Sequence, residues 1–141
     1  MLIPHVVSTE ADKVFVNVLN TNSTTVSDGE ALAWEGGTPD GVRTSYPTAS
    51  TLGLFVGLAL GSIAASAYGL AQAYGFKSVG SVSGDAITLV GEYLLPTAAV
   101  GYLTSTETVY ADPTQNAFAY AGASMSSGTA PVNIAVFIRA L

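Results

Sequence analysis

Residues able to do acid–base, nucleophilic or metal chemistry are scarce in this sequence. It contains a single histidine, His5, and no cysteine. Most acid–base and metal sites bring several histidines, cysteines or carboxylates together, so one histidine beside a proline offers little to either kind of site. We therefore interpret His5 as a surface or contact residue.

Two pairs of acidic residues lie close together in the chain, Asp28 with Glu30 and Glu35 with Asp40. Two carboxylates in one cleft can cleave a glycoside. Both pairs fall in turn-like segments, where acidic side chains usually bond to the backbone. A structural role is favoured, and we predict that the protein is not an enzyme and uses no cofactor.

A third group, Asp112, Thr114 and Asn116, alternates as the first oxygen ligands of a calcium loop do. Pro113 interrupts the group, and neither the glycine nor the closing glutamate of such a loop follows. The glycine-rich segments also lack the lysine and the spacing of phosphate-binding loops. We expect no metal and no nucleotide site.

Aromatic side chains are the remaining candidates for a binding surface. The chain has one tryptophan and seven tyrosines, dispersed along its length. Dispersed aromatic residues favour packing in a core or at an interface, although a ligand-binding face is an alternative. The residues that we select as interface candidates are Trp34, Tyr46, Tyr93 and Tyr102.

The composition points to a single domain that packs against other subunits. The chain has 141 residues, of which 10% are charged and 49% hydrophobic, whereas about 25% are charged in ordinary soluble domains. Few charges are left to cover the outside, which favours assembly. The net charge is −6, and the four cations are scattered, so nucleic-acid binding is not expected.

A long uncharged segment extends from Thr44 to Phe76. Within it, Gly53, Gly57 and Gly61 have the spacing of glycines in close-packed membrane helices, so a membrane span over Leu52–Leu70 is one alternative. Polar residues interrupt the segment, however, and no cluster of lysine or arginine flanks it. Glycines this dense favour short strands and turns, and we expect no membrane partner.

Short apolar segments at roughly ten-residue spacing, separated by glycine-rich turns, predict antiparallel strands. Val14, Val16 and Val18 alternate as on a half-buried strand, whereas Glu35 to Pro47 is expected to be an exposed loop. On a strand from Tyr68, residue Gln72 would share an apolar face and, if buried, need hydrogen-bond partners. The predicted fold is all-β: a single small antiparallel β-barrel or sandwich, β-tulip-like or jelly-roll-like, over residues 13–141, after a flexible N-terminal arm over residues 1–12.

The segment from Gly57 to Gly75 reads GLALGSIAASAYGLAQAYG and resembles a pattern of capsid decoration (cement) proteins of tailed bacteriophages. The segments Gly84 to Leu95, Thr108 to Asp112 and Ile134 to Arg139 are similar to theirs in order and character. The resemblance covers about Asp28 to Leu141. It rests on packing and turn residues.

The resemblance implies a structural virion protein on the outer surface of an icosahedral head. Such a protein binds the major capsid protein, stabilises contacts between capsid subunits, and associates with itself, as a homotrimer or alternatively a dimer. The four aromatic candidates would then serve the oligomer or the capsid interface. An apolar arm can add a strand to a partner's sheet edge. The arm residues expected to bind the capsid are Leu2, Ile3, Pro4, Val6 and Val7.

A third hypothesis is a β-rich module that binds a cell surface or a carbohydrate and is displayed on a particle. It predicts saturable binding of sugars by the free protein. A decoration protein requires binding to assembled shells instead.

Overall fold

The structure is a computed structural model that describes residues 12–37, 40–84, 90–105, 118–126 and 128–140. Strands dominate these ranges, and the prediction of an all-β fold is confirmed. The predicted arm lies outside the described residues except for Asp12. The strands are β1 (Val14–Asn20), β2 (Ala31–Trp34), β3 (Arg43–Ser45), β4 (Phe55–Leu60), β5 (Tyr68–Gly84), β6 (Tyr93–Pro96), β7 (Leu103–Ser105), β8 (Ala119–Ala121) and β9 (Gly128–Arg139).

All nine strands of the described ranges belong to one mixed sheet. Most neighbours are antiparallel, whereas β1–β3 and β5–β7 are parallel pairs. Strand β5 has 17 residues and is long enough to serve both halves of the sheet. Its first part pairs with β1 and β4, and its second part pairs with β7 and β9.

The pairings close two circuits of strands that share β5. The first runs β1–β3–β2–β4–β5 and returns to β1, and the second runs β5–β7–β6–β8–β9 and returns to β5. Within the described residues, each strand therefore has at least two paired neighbours. Some of these pairings are short: β1 pairs with β3 only at Leu19 and Asn20, so within the described ranges Val14 to Val18 pair with β5 alone.

Two hydrophobic cores fill this architecture. Alternate side chains of a strand point to opposite faces, so β2 and β4 contribute to both cores. The N-terminal core is built from Val18, Val26, Leu32, Val56, Ala59, Ile63 and Ala71. The C-terminal core is built from Ala31, Phe55, Leu58, Val82, Leu94, Leu103, Ala119, Ala121, Ile134, Val136 and Ile138.

The uncharged segment Thr44 to Phe76 contains strand β4, which is buried on both of its faces. Strand β4 is apolar at consecutive positions because both of its faces are covered, and such strands have continuous hydrophobic sequences. The segment Leu52–Leu70, considered above as a membrane span, forms a 3₁₀ turn at Leu52–Leu54, β4, a connection and the start of β5. Across the described ranges, no helix has the length and apolar character needed to cross a membrane.

Local sequence patterns are only partly followed. Val16 and Val18 point inward as predicted, but the register shifts between Val14 and Phe15, and Val14 is exposed. The expected loop from Glu35 to Pro47 contains β3, so a loop throughout this segment was wrong. Strand β3 has only three residues, and it forms because β1 and β2 both pair with it.

Candidate functional site

The outward side of the first circuit carries an exposed apolar surface, which we call the outer face. It consists of Phe15 and Asn17 on β1, Leu60 at the end of β4, and Tyr68 and Leu70 on β5. Cross-strand pairing brings these residues together, because Leu70 is paired with both Asn17 and Leu60. Side chains of paired residues lie on the same side of a sheet, about 5 Å apart.

The four large apolar side chains of the outer face are well exposed. Phe15 is 46% exposed, Leu60 41%, Leu70 43% and Tyr68 66%. None of the five residues of the face is charged. Exposed apolar patches of this kind are typical of surfaces that contact another molecule.

Gln72 links the outer face to the interior. It lies on the same side of β5 as Leu70, opposite Phe15 and Leu58, but it is buried. Its side-chain nitrogen donates to the carbonyl oxygens of Tyr74 and Phe76, at 3.2 and 3.0 Å. The expectation that a buried Gln72 needs hydrogen-bond partners is confirmed.

A cleft of about 340 Å³ lies at the turn that joins β2 to β3. Trp34 packs against the N-terminal core and also lines the cleft. The turn is closed by the amide of Glu35, which donates to the carbonyl oxygen of Arg43 at 3.0 Å. The residues that line the cleft include Trp34, Glu35, Gly36, Asp40, Arg43 and Leu54.

Polar groups of the cleft are fixed by the turn itself. One oxygen of Asp40 accepts the amides of Val42 and Arg43, each at 2.9 Å, and the other lies 3.2 Å from Nε of Arg43. The amide hydrogen bonds from Arg43 and Val42, with the nearby guanidinium, hold the pKa of Asp40 below its usual 3.8. Asp40 is therefore ionised at neutral pH.

The structure places the four aromatic candidates at separate points. Trp34 lines the cleft, and Tyr102 is half-buried after the turn that follows β6. The Tyr93 ring packs against Tyr120 with centroids 5.2 Å apart. The Tyr46 hydroxyl donates to Glu30 at 2.8 Å. All four are half-buried, and their role in an interface stays a prediction.

The acidic pairs chosen from the sequence have different surroundings. Asp28 forms an ion pair of 2.7 Å with the buried Lys77, and Glu30 accepts from Tyr46 and from the amide of Ser27. Glu35 and Asp40 line the same cleft. The described ranges hold no group of three or more acidic or histidine side chains suited to a metal ion.

Several sequence candidates cannot be placed. His5 and the arm residues from Leu2 to Val7 lie outside the described residues, as do Asp112, Thr114 and Asn116. The predictions for these positions stay as they were.

The fold is similar to that of a phage head-fibre base. The solved structure of the N-terminal base of head fibre gp8.5 from bacteriophage phi29 superposes with a TM-score of 0.50 at 16% identity. The match covers 92% of this chain and 96% of that one. No protein-family model matches the chain, and no curated protein sequence matches it. At this identity the likeness shows a shared fold.

The sequence patterns did not reveal the outer face or the cleft. Phe15, Tyr68 and Leu70 are apolar residues on strands, which is the pattern of a core as well as of a surface. The sequence does show that β1 and β5 carry apolar residues on both faces. This pattern indicates that each face is covered by the protein itself or by a partner. At the cleft, the available signal was Trp34 next to a glycine pair, Gly36 and Gly37, that is flanked by the acidic residues Glu35 and Asp40.

Proposed function

We propose that this chain is a non-enzymatic structural protein of a phage virion, bound to the outside of the head. In this proposal it packs on the major capsid protein through its outer face and stabilises contacts between neighbouring capsid subunits. The observation that carries the proposal is an exposed, uncharged sheet face on a fold shared with the base of a phage head fibre.

The physical character of the surface supports a role in permanent assembly. Apolar contact residues gain free energy by leaving water, at about 25 cal/mol per Å² buried. A face without charges avoids the cost of removing ions from water, which often offsets their attraction. Many copies on one shell act together, so a modest gain per copy becomes a large barrier to opening of the shell.

The proposal retains two predictions from the sequence. The chain associates with itself, as a homotrimer or alternatively a dimer, and the low charge content is the supporting observation. The arm, with apolar Leu2, Ile3, Val6 and Val7, adds a strand to an edge of a capsid-protein sheet. An arm is suited to this task because an extended apolar segment can pair along the edge of a partner's sheet.

The decisive experiment measures occupancy on heads of the parent phage assembled without this protein. Purified protein is added, and bound copies are counted by sedimentation and by cryo-electron microscopy. In the variant Leu70→Glu, a charge in the middle of the outer face should reduce occupancy at least tenfold. The matched control is Val132→Glu, because Val132 on β9 is also 43% exposed but is not part of the outer face.

The outcomes separate the parts of the proposal. Equal loss in both variants, or none in either, would overturn the assignment of the outer face. If Leu70→Glu keeps full occupancy but changes from oligomer to monomer in solution, the face joins copies of this chain instead. Deleting residues 1–10 should abolish binding and preserve the circular dichroism spectrum, and unchanged occupancy would refute the role of the arm.

A further inference from the structure

We propose that the cleft at Trp34 binds a neutral saccharide. The proposal is independent of head binding, because it concerns a different part of the surface and the free protein. Its basis is the combination of an indole wall with fixed hydrogen-bond donors and acceptors in one cleft. Clefts for small ligands occupy roughly 300–1,000 Å³ and present a mostly apolar wall with a few placed polar groups. The volume of about 340 Å³ falls within this range.

The apolar part of the cleft is built on the sheet. Trp34 is the last residue of β2 and is paired with Thr44 of β3, so its backbone is fixed on a rigid element. Leu54, 41% exposed, is a second apolar residue of the lining. Gly36 lies close to Leu54, since a methyl group placed on Gly36 would contact the Leu54 side chain at 4.0 Å. The cleft therefore offers apolar walls to the carbon–hydrogen face of a sugar ring.

The polar part provides both kinds of hydrogen-bonding group. Nε of Arg43 is engaged by Asp40, and within the described ranges no other hydrogen bond holds its terminal nitrogens. Glu35 accepts the Thr21 hydroxyl at Oε1, at 3.0 Å, which leaves its second carboxylate oxygen as an acceptor. A hydroxyl group donates and accepts, so a sugar can bond to the guanidinium and the carboxylates at once.

The charges of the cleft favour a neutral ligand. Asp40 and Arg43 neutralise one another, and only Glu35 contributes an unbalanced charge. An organic cation also binds over an aromatic face, but a tetraalkylammonium ion offers no acceptor to the guanidinium of Arg43, whereas a sugar hydroxyl does. An anion would meet two carboxylates.

The same geometry favours binding over cleavage. Glycoside cleavage requires a carboxylic acid that stays protonated until it donates its proton, which means a raised pKa. Asp40 is instead held in its ionised form by backbone amides and Arg43. Asp40 is therefore unsuited to the role of proton donor, and we assign it a positioning role, in which it orients Arg43.

The protein carries its own reporter, because Trp34 is its single tryptophan. The free protein is titrated with glucose, galactose, N-acetylglucosamine and their β-linked oligosaccharides while tryptophan emission is recorded. At least one saccharide should change the emission in a saturable way. Stronger binding of oligosaccharides than of single sugars would point to a cell-surface glycan as the source, and equal binding would point to a free sugar.

Variants assign the response to the cleft. Arg43→Gln should weaken binding by roughly tenfold or more, since a hydrogen bond to a charged group is lost. Leu54→Ser should weaken it less. Both side chains are partly exposed, so the fold should persist, as circular dichroism will verify. The control is Tyr68→Ser on the outer face, which should bind saccharide like the native protein.

Three results would overturn the proposal. The first is the absence of a saturable change with any of the saccharides at concentrations up to tens of millimolar. The second is a response to tetramethylammonium alone, which would make the cleft a cation site. The third is a saccharide response that persists in Arg43→Gln and Leu54→Ser but is lost in Tyr68→Ser.

Discussion

At the scale of single residues, Asn20 is the most constrained polar side chain of the described ranges. It is fully buried at the end of β1. Its side-chain nitrogen donates to the carbonyl oxygens of Thr24, Ile63 and Ala64, at 2.9, 3.0 and 3.1 Å. Its oxygen accepts from the amide and the side chain of Asn22, both at 2.9 Å. Through these hydrogen bonds, Asn20 connects the polar segment after β1 with the segment between β4 and β5.

The variant Asn20→Asp tests this role. It keeps the shape of the side chain but replaces a donor with a carboxylate that faces three carbonyl oxygens. We expect a loss of about 3 kcal/mol in the free energy of unfolding, measured by urea titration, because buried polar groups lose their partners. Asn17→Asp is the control, since Asn17 is exposed on the same strand and should change stability by less than about 0.5 kcal/mol. Similar losses in both variants would contradict the argument.

A second residue-scale prediction concerns Asp28 and acid stability. Burial opposes ionisation of Asp28, but the hydrogen bond from Lys77, the Gly61 amide and the Lys77 charge outweigh it and lower the pKa below 3.8. A carboxyl with a lowered pKa in the folded state stabilises the fold above its unfolded pKa, and this contribution is lost as the pH falls through the folded value.

The measurement compares the native protein with Asp28→Asn by thermal unfolding from pH 7 to pH 2. The native protein should be more stable at pH 7, because Lys77 is buried and Asp28 is its ion-pair partner. The difference should stay constant down to about pH 4 and shrink below it. A difference that does not depend on pH would show that the Asp28 charge has no role.

At the scale of elements, the close contact of β4 with β5 depends on Gly57. This residue has φ = 149°, and a methyl group there would overlap the carbonyl oxygen of Gln72 on β5. Gly53 belongs to the same four-residue glycine spacing but has open space around its Cα. Of these two glycines, Gly57 is required by the packing of β4 on β5, whereas Gly53 is not required by any close contact with the described residues.

Alanine substitutions at Gly57 and Gly53 test whether only Gly57 is required for the packing of β4 on β5. Gly57→Ala should destabilise the protein by about 3 kcal/mol or more, through backbone strain and overlap with β5. Gly53→Ala should change the urea midpoint little. Equal effects in both variants would mean that Gly57 does not set the distance between the strands.

At the scale of the whole molecule, the two cores share β5 and are not separate domains. Residues of β2 and β4 enter both cores, so one core cannot lose its strands without exposing part of the other. Structures coupled in this way unfold in one step.

Truncation of one leucine in each core tests the coupling. Leu32→Ala in the N-terminal core and Leu94→Ala in the C-terminal core should each cost about 2–5 kcal/mol, since both side chains are fully buried. Each variant should still show a single urea transition, coincident by circular dichroism and tyrosine fluorescence. Two separate transitions in either variant would show that the halves fold independently.

Features that depend on neighbouring residues are the ones that the sequence predicts. The alternation of Val16 and Val18 and the glycine-rich turns depend on neighbouring residues, so they could be predicted from the sequence. The short strand β3 could not, because three residues around Thr44 carry no periodicity. It is a strand only because β1 and β2 lie on either side of it.

What the sequence determined by itself is the all-β class, since strand periodicity and turn chemistry are local. Tertiary structure alone decided which apolar residues are exposed. Leu58 and Leu70 look alike in the chain, but the second circuit covers Leu58 and leaves Leu70 43% exposed. Exposure is a property of the whole packing and not of the residue. For the same reason, only the fold brings Leu54 to the cleft beside Trp34 and leaves the outer face exposed.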